Sequence, residues 1–159
     1  MYCIMAGGCF WCTEHAMSTC QGVLQVVSGY TGDSELVASY REVCSGTTKH
    51  REAVKVIFDE TVVSKRELWN YFLNHIDPND RGGQFADRGY QYQAVLYYQN
   101  ADEQNSLTEL CVTTSVQVEA ELPFYLAEEY HQCYADKNPS HYQQYYSGSG
   151  REKFFCNRN

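Results

Sequence analysis

The stretch GGCFWC, Gly7–Cys12, decides how the rest of the chain is read. Before it lies a short apolar run, Tyr2–Ala6, that reads as a strand. After it, Phe10–Cys20 has helical character. Cys9 therefore falls at a strand-to-helix junction. Free backbone N–H groups and the helix dipole favour an anion there. A thiolate is the available anion, so the Cys9 pKa is expected to fall. Gly7 and Gly8 let the chain turn tightly and are expected to leave room in front of the sulfur. Phe10 and Trp11 are placed to wall an apolar pocket beside it. This is the pattern of a nucleophilic or redox cysteine.

Outward from that junction the elements alternate. Val23–Ser28 reads as a strand and Gly29–Gly32 (GYTG) as a turn, with an irregular loop over Ser34–Gly46. Ala53–Asp59 alternates, Val54, Val56 and Phe58 on one side, Ala53, Lys55 and Ile57 on the other. Ser64 and Glu67 form a capping box for a helix to Ile76. Tyr90–Tyr98 reads as a strand, and Asn100 with Glu103 opens another helix. Val116–Glu119 reads as a short strand and Ala127–Asp136 as helical. The first six elements run strand, helix, strand, strand, helix, strand, which is the split βαβ, ferredoxin-like order. The expected fold is α/β (α+β), a two-layer sandwich on a mixed sheet. One catalytic domain is expected over residues 1–159, with 137–159 a wrapping or mobile tail.

Composition narrows the function. A length of 159 residues suits one domain with a real core. A net charge of −8 argues against a nucleic-acid partner. No apolar run reaches membrane-spanning length. No signal segment precedes the first strand, so a cytoplasmic protein is expected. The eight cysteines are then expected to be mostly reduced, with Cys3, Cys20 and Cys111 as small core hydrophobes. His15, His50, His75, His131 and His141 show no metal-ligand spacing and read as surface or capping residues. No metal or cofactor is expected, and a monomer is.

Three further stretches join turn residues to reactive ones: YREVCSG (Tyr40–Gly46), HREAV (His50–Val54) and FADRGYQY (Phe85–Tyr92). With GGCFWC and GYTG they resemble the peptide methionine sulfoxide reductase A family, in order from about Ala6 to Tyr98. The resemblance implies an α/β core and a thiol-based reduction of methionine sulfoxide, of the S epimer, free or in proteins. It implies Cys9 as nucleophile and Glu52 as proton donor. It implies Tyr40 and Tyr92 as holders of the sulfoxide oxygen and Asp87 as an organising carboxylate. Phe10 and Trp11 would cage the terminal methyl. Each has an ordinary rival: a structural thiol, a solvated strand-end carboxylate, packing aromatics, a turn-forming aspartate.

The chain departs from the family pattern at Cys12, where glycine is usual. Cys9 and Cys12 thus form a C-x-x-C pair able to close a disulfide. The tail cysteine, Cys156, lacks the family's glycine-rich surroundings. Cys156 ranks slightly ahead of Cys12 as the thiol that resolves the Cys9 sulfenic acid, because Cys9 must stay free for substrate. Cys44 and Cys133 remain open. The resulting disulfide would be reduced by thioredoxin or a similar dithiol. Three rival readings are a thioredoxin-like oxidoreductase, a zinc module and a Cys–His hydrolase.

Overall fold

The computed structural model describes residues 1–158. The first strand, β1 (Tyr2–Ala6), lies at the middle of the sheet and leads through Gly7 and Gly8 into α1 (Phe10–Ser18). Next come β2 (Val23–Thr31), a short helix α2 (Tyr40–Cys44), β3 (Arg51–Phe58) and α3 (Lys65–Asn74). The Ser64–Glu67 capping box of α3 is formed on both sides. A two-residue hairpin, β4 (Gly83–Gln84) and β5 (Asp87–Arg88), precedes β6 (Val95–Tyr98). Then follow α4 (Ala101–Cys111), capped by Asn100, and β7 (Gln117–Ala120).

β3 runs antiparallel between β1 and β2, and β6 runs antiparallel to the other side of β1. That is the ferredoxin-like order expected from the element pattern. β7 extends the sheet in parallel with β6 through the α4 crossover, which makes the sheet mixed. Most of the apolar surface lies on one face. There Met5, Val54, Val56 and Leu96 of the sheet meet Phe10, Met17, Leu68, Phe72 and Leu107 of the helices. The other face carries a smaller cluster around Ile4, Ala53, Val95 and Tyr97. Cys3 and Cys111 are buried as core hydrophobes and Cys20 is half-buried.

Several local expectations are corrected. GYTG is not a turn, because Gly29, Tyr30 and Thr31 continue β2. Gly29 is needed for packing: a Cβ there would lie 2.4 Å from both the Phe124 ring and the Tyr125 carbonyl. Those residues belong to β8 (Phe124–Leu126), which pairs antiparallel with β2 at the sheet edge. β6 begins at Val95, since Tyr90–Tyr92 form a 3-10 turn. The stretch expected to be one helix over 127–136 is a 3-10 turn (Glu129–His131) followed by α5 (Tyr134–Lys137). The Gln132 side chain clips this segment to β2, accepting from Ser28 N–H and donating to Ser28 and Ala127 carbonyls.

The C-terminal segment is helical, not irregular. α6 (Pro139–Gly148) starts on proline at its first turn, where the missing N–H costs nothing. Gly150, at φ +92°, turns the chain into α7 (Arg151–Cys156). Tyr142 of α6 and Ala135 of α5 bury against Cys9 and Cys12. Among the described residues, no helix is long and apolar enough to cross a membrane.

Candidate active site

The Cys9 turn is built by close packing. Gly8 has φ +83°, a conformation that side chains resist. A Cβ on Gly7 would lie 2.6 Å from the Phe72 ring, and one on Gly8 would lie 2.7 Å from Gln84 Cβ. The two glycines therefore admit neighbours; they do not leave open space as expected. Cys9 caps α1, its carbonyl accepting from the Cys12 and Thr13 N–H groups. Phe10 N–H instead donates to Glu52 Oε2 at 3.0 Å. A helix N-terminal donor thus holds the carboxyl of β3 beside the cysteine.

One cavity of about 110 Å³ is lined by Cys9, Phe10, Trp11, Tyr40, Glu52, Asp87, Tyr92 and Tyr145. Seven of these eight were singled out from the sequence. They arrive from distant segments: the start of α1, the start of α2, β3, β5 and the 3-10 turn after β5. The hairpin presents Asp87, and Gly83 allows its tight pairing, since a Cβ there would lie 2.1 Å from the Asp87 carbonyl. Arg88 pairs with Asp80, at 2.9 Å for one of two contacts, and locks the hairpin down. Trp11 is held by its Nε1–H, which donates to His131 Nδ1 at 3.0 Å, and by stacking on Tyr134 at 3.8 Å.

Burial dominates the electrostatics. Glu52 is 2% exposed, and desolvation, followed by nearby Cys9, holds its pKa well above the usual carboxylate value. The Phe10 N–H and Arg151 oppose this but do not cancel it. Burial thus favours the protonated carboxyl, the form a proton donor requires. Tyr40 is pushed up to about 12 by burial, and Tyr92 is also raised by burial and then by Glu52, so both keep their O–H donors.

The expected fall in the Cys9 pKa is reversed. Burial raises it first, and the hydrogen bond and negative charge shared with Cys12 raise it further. Cys12 moves the other way, lowered chiefly by its hydrogen bond with Cys9 and also by Arg151. The two thiols titrate as a pair.

Local sequence motifs did not reveal the residues of the C-terminal segment. The Tyr145 hydroxyl donates to Asp87 Oδ2, and Arg151 donates to Asp87 at 2.8 Å and to the Tyr145 hydroxyl at 3.2 Å. Arg151 is 3% exposed. His131 is also buried, as is His50, so neither lies on the surface; His50 Nδ1 accepts the Asp33 N–H at 3.3 Å, while His15, His75 and His141 are exposed. The described residues contain no cluster of three or more metal-ligating side chains.

A family profile described as "Peptide methionine sulfoxide reductase" matches residues 1–159. The peptide methionine sulfoxide reductase MsrA of Bacillus subtilis (strain 168) is 46% identical over 162 residues, covering 94% of this chain and 90% of that protein. The chain belongs to the peptide methionine sulfoxide reductase A family. It is thus a thiol-dependent oxidoreductase, and the cavity around Cys9 is the place to look for its chemistry. Among solved structures, Mxr1 from Saccharomyces cerevisiae in reduced form matches with TM-score 0.79 and 31% identity, covering 87% of this chain and 86% of that one. The unusual oxidized form of Mxr1 matches with TM-score 0.58 and 27% identity, covering 87% and 82%.

Proposed function

We propose that the chain reduces the S epimer of methionine sulfoxide, free or in proteins, using Cys9, Glu52 and Cys12 in sequence. The Cys9 sulfur attacks the sulfoxide sulfur. Glu52 passes its proton to the sulfoxide oxygen, which the Tyr40 and Tyr92 hydroxyls hold. Phe10 and Trp11 wall the methyl, and Asp87 keeps Tyr145 in register. Methionine leaves, and Cys9 becomes a sulfenic acid. Cys12 then attacks that sulfur, the S–O bond breaks, and the oxygen departs as water. The two thiols supply the two electrons and, in net terms, the two protons of that water.

The convergence of seven sequence-marked side chains on one small cavity carries this reading. Cys12 is preferred to Cys156 as the resolving thiol, against the order suggested by sequence. Cys12 is buried in one cluster with Cys9, and its pKa is lowered, whereas Cys156 is exposed at the end of α7. Cys9 stands at the N-cap and Cys12 three residues on, the spacing of a closable C-x-x-C pair. The disulfide is returned to dithiol form by thioredoxin or a similar dithiol.

Three exposed free cysteines, Cys44, Cys133 and Cys156, suit a reducing compartment, and we place the enzyme in the cytoplasm. Residues 1–159 act as one catalytic domain, the C-terminal helices being part of the site. The test is a Cys12→Ser enzyme given one equivalent of methionine S-sulfoxide without reductant. One methionine per enzyme and a dimedone adduct on Cys9 are expected. Methionine formation by a Cys9→Ser enzyme, or an adduct on another cysteine, would remove Cys9 from its role.

A further inference from the structure

We propose that the reductant enters by a second opening behind the active cysteine and attacks Cys12, not Cys9. This rests on Cys12 being the resolving thiol. The second cavity measures about 330 Å³, three times the first. Cys12, His15, Ala16, Thr19, Tyr146 and Arg151 are among the side chains that line it. It opens to solvent between α1, α6 and α7, since His15 and Thr19 on its rim are exposed. Cys9 lines the first cavity and Cys12 the second. The C-x-x-C pair is the partition between them.

Two physical arguments assign the second cavity to the reductant. The first is direction. Thiol–disulfide exchange needs the incoming thiolate in line with the bond it breaks, on the far side from the leaving sulfur. A thiolate in the second cavity meets the Cys12 side of the pair, since Cys12 lines that cavity and Cys9 lines the first. The second is charge. The substrate cavity holds the Asp87 carboxylate, which disfavours an incoming anion. Among the described residues lining the second cavity none is acidic, and Arg151 draws the thiolate in. The same guanidinium lowers the Cys12 pKa and grips Asp87, a residue lining the first cavity, at 2.8 Å.

The exchange balances as follows. The reductant's thiolate bonds to Cys12 Sγ, the Cys9–Cys12 bond breaks, and Cys9 takes the electron pair and a proton. The second thiol of the dithiol then attacks the mixed disulfide. It releases Cys12 and leaves the reductant as a disulfide. Sulfoxide and reductant thus use separate entrances, and a long protein substrate need not clear its mouth before recycling begins.

The experiment fills the second cavity from positions outside the catalytic set, with Ala16→Phe and, separately, Thr19→Trp. Without reductant, the burst of one methionine per enzyme and its rate should match wild type. With dithiothreitol as reductant, kcat/KM for the thiol should fall at least about tenfold, while KM for the sulfoxide stays put. Normal recycling in both variants would overturn the proposal. A mapping arm covers the case of poor folding. Wild-type enzyme oxidised by one equivalent of sulfoxide is mixed with a thioredoxin lacking its second thiol. The trapped mixed disulfide should lie on Cys12, and one on Cys9 would overturn the second entrance. If the oxidised enzyme instead carries a bond from Cys9 to another cysteine, the resolving role of Cys12 fails first, and that result is separate.

Discussion

Replacing Glu52 with Gln isolates the proton from the structure that holds it. The side chain is buried on β3 and accepts the Phe10 N–H at 3.0 Å. A glutamine offers the same acceptor oxygen and nearly the same volume, so the turn that carries Cys9 should survive. It has no acidic proton to give to the sulfoxide oxygen. General-acid catalysis contributes about 10²–10⁴-fold, so turnover should fall by that factor. In the barrier this is roughly 3–5 kcal/mol. The pH profile should change as well. The Glu52 pKa lies above its unfolded value, so wild-type turnover falls on the alkaline side as the proton is lost. The Glu52→Gln variant should lose that limb. Stability gives a second reading with the same sign. A raised folded pKa means stability is full below the unfolded value, about 4.3, and declines as pH rises through the folded value. Melting temperatures of the two proteins should therefore diverge with rising pH, the wild type falling relative to the variant. Steady-state rates and thermal melts across pH measure both. A Glu52→Gln enzyme with wild-type turnover, or with the alkaline limb intact, would refute the reasoning.

Other perturbations test the scaffold. Arg151→Met removes the partner of Asp87 in a site where the arginine side chain is 4% exposed. Stability to urea should drop by about 3–5 kcal/mol, the cost of leaving a buried charge unpaired. Gly8→Ala forces a φ of +83° on a side chain and drives its Cβ to 2.7 Å from Gln84. A loss of at least about 1–2 kcal/mol is expected from the dihedral alone, read from denaturant unfolding. Tyr92→Phe deletes one donor to the sulfoxide oxygen. Its kcat should fall by about 10²–10³, as for a lost oxyanion donor, with the fold unchanged by circular dichroism.

The seven sequence-marked residues were legible because each sits in a short motif next to a turn or helix start. Cys9 follows two glycines, Glu52 opens an alternating strand, and Asp87 precedes Arg-Gly in a tight hairpin. Tyr145 and Arg151 were not legible. Their segment is rich in Tyr, Gln and Ser, its helices are ten and six residues long, and its apolar positions make no clear stripe. Pro139 and Gly150 were the available local signals. Gly29 was misread because glycine serves turns and close approach alike, and only the position of Phe124 shows which. The Cys9 ionisation was misjudged because a helix N-terminus is visible in sequence, whereas the depth of burial and the coupling to Cys12 depend on the helices folded over the pair.

Disulfide mapping by mass spectrometry, after one equivalent of methionine S-sulfoxide and rapid acid quench, tests the Cys9–Cys12 pairing most directly. A single turnover should yield one methionine and one Cys9–Cys12 bond, with Cys3, Cys20, Cys44, Cys111, Cys133 and Cys156 still open to alkylation after unfolding. A bond from Cys9 to Cys156, or six or more of the eight thiols alkylated with Cys12 among them, would contradict it.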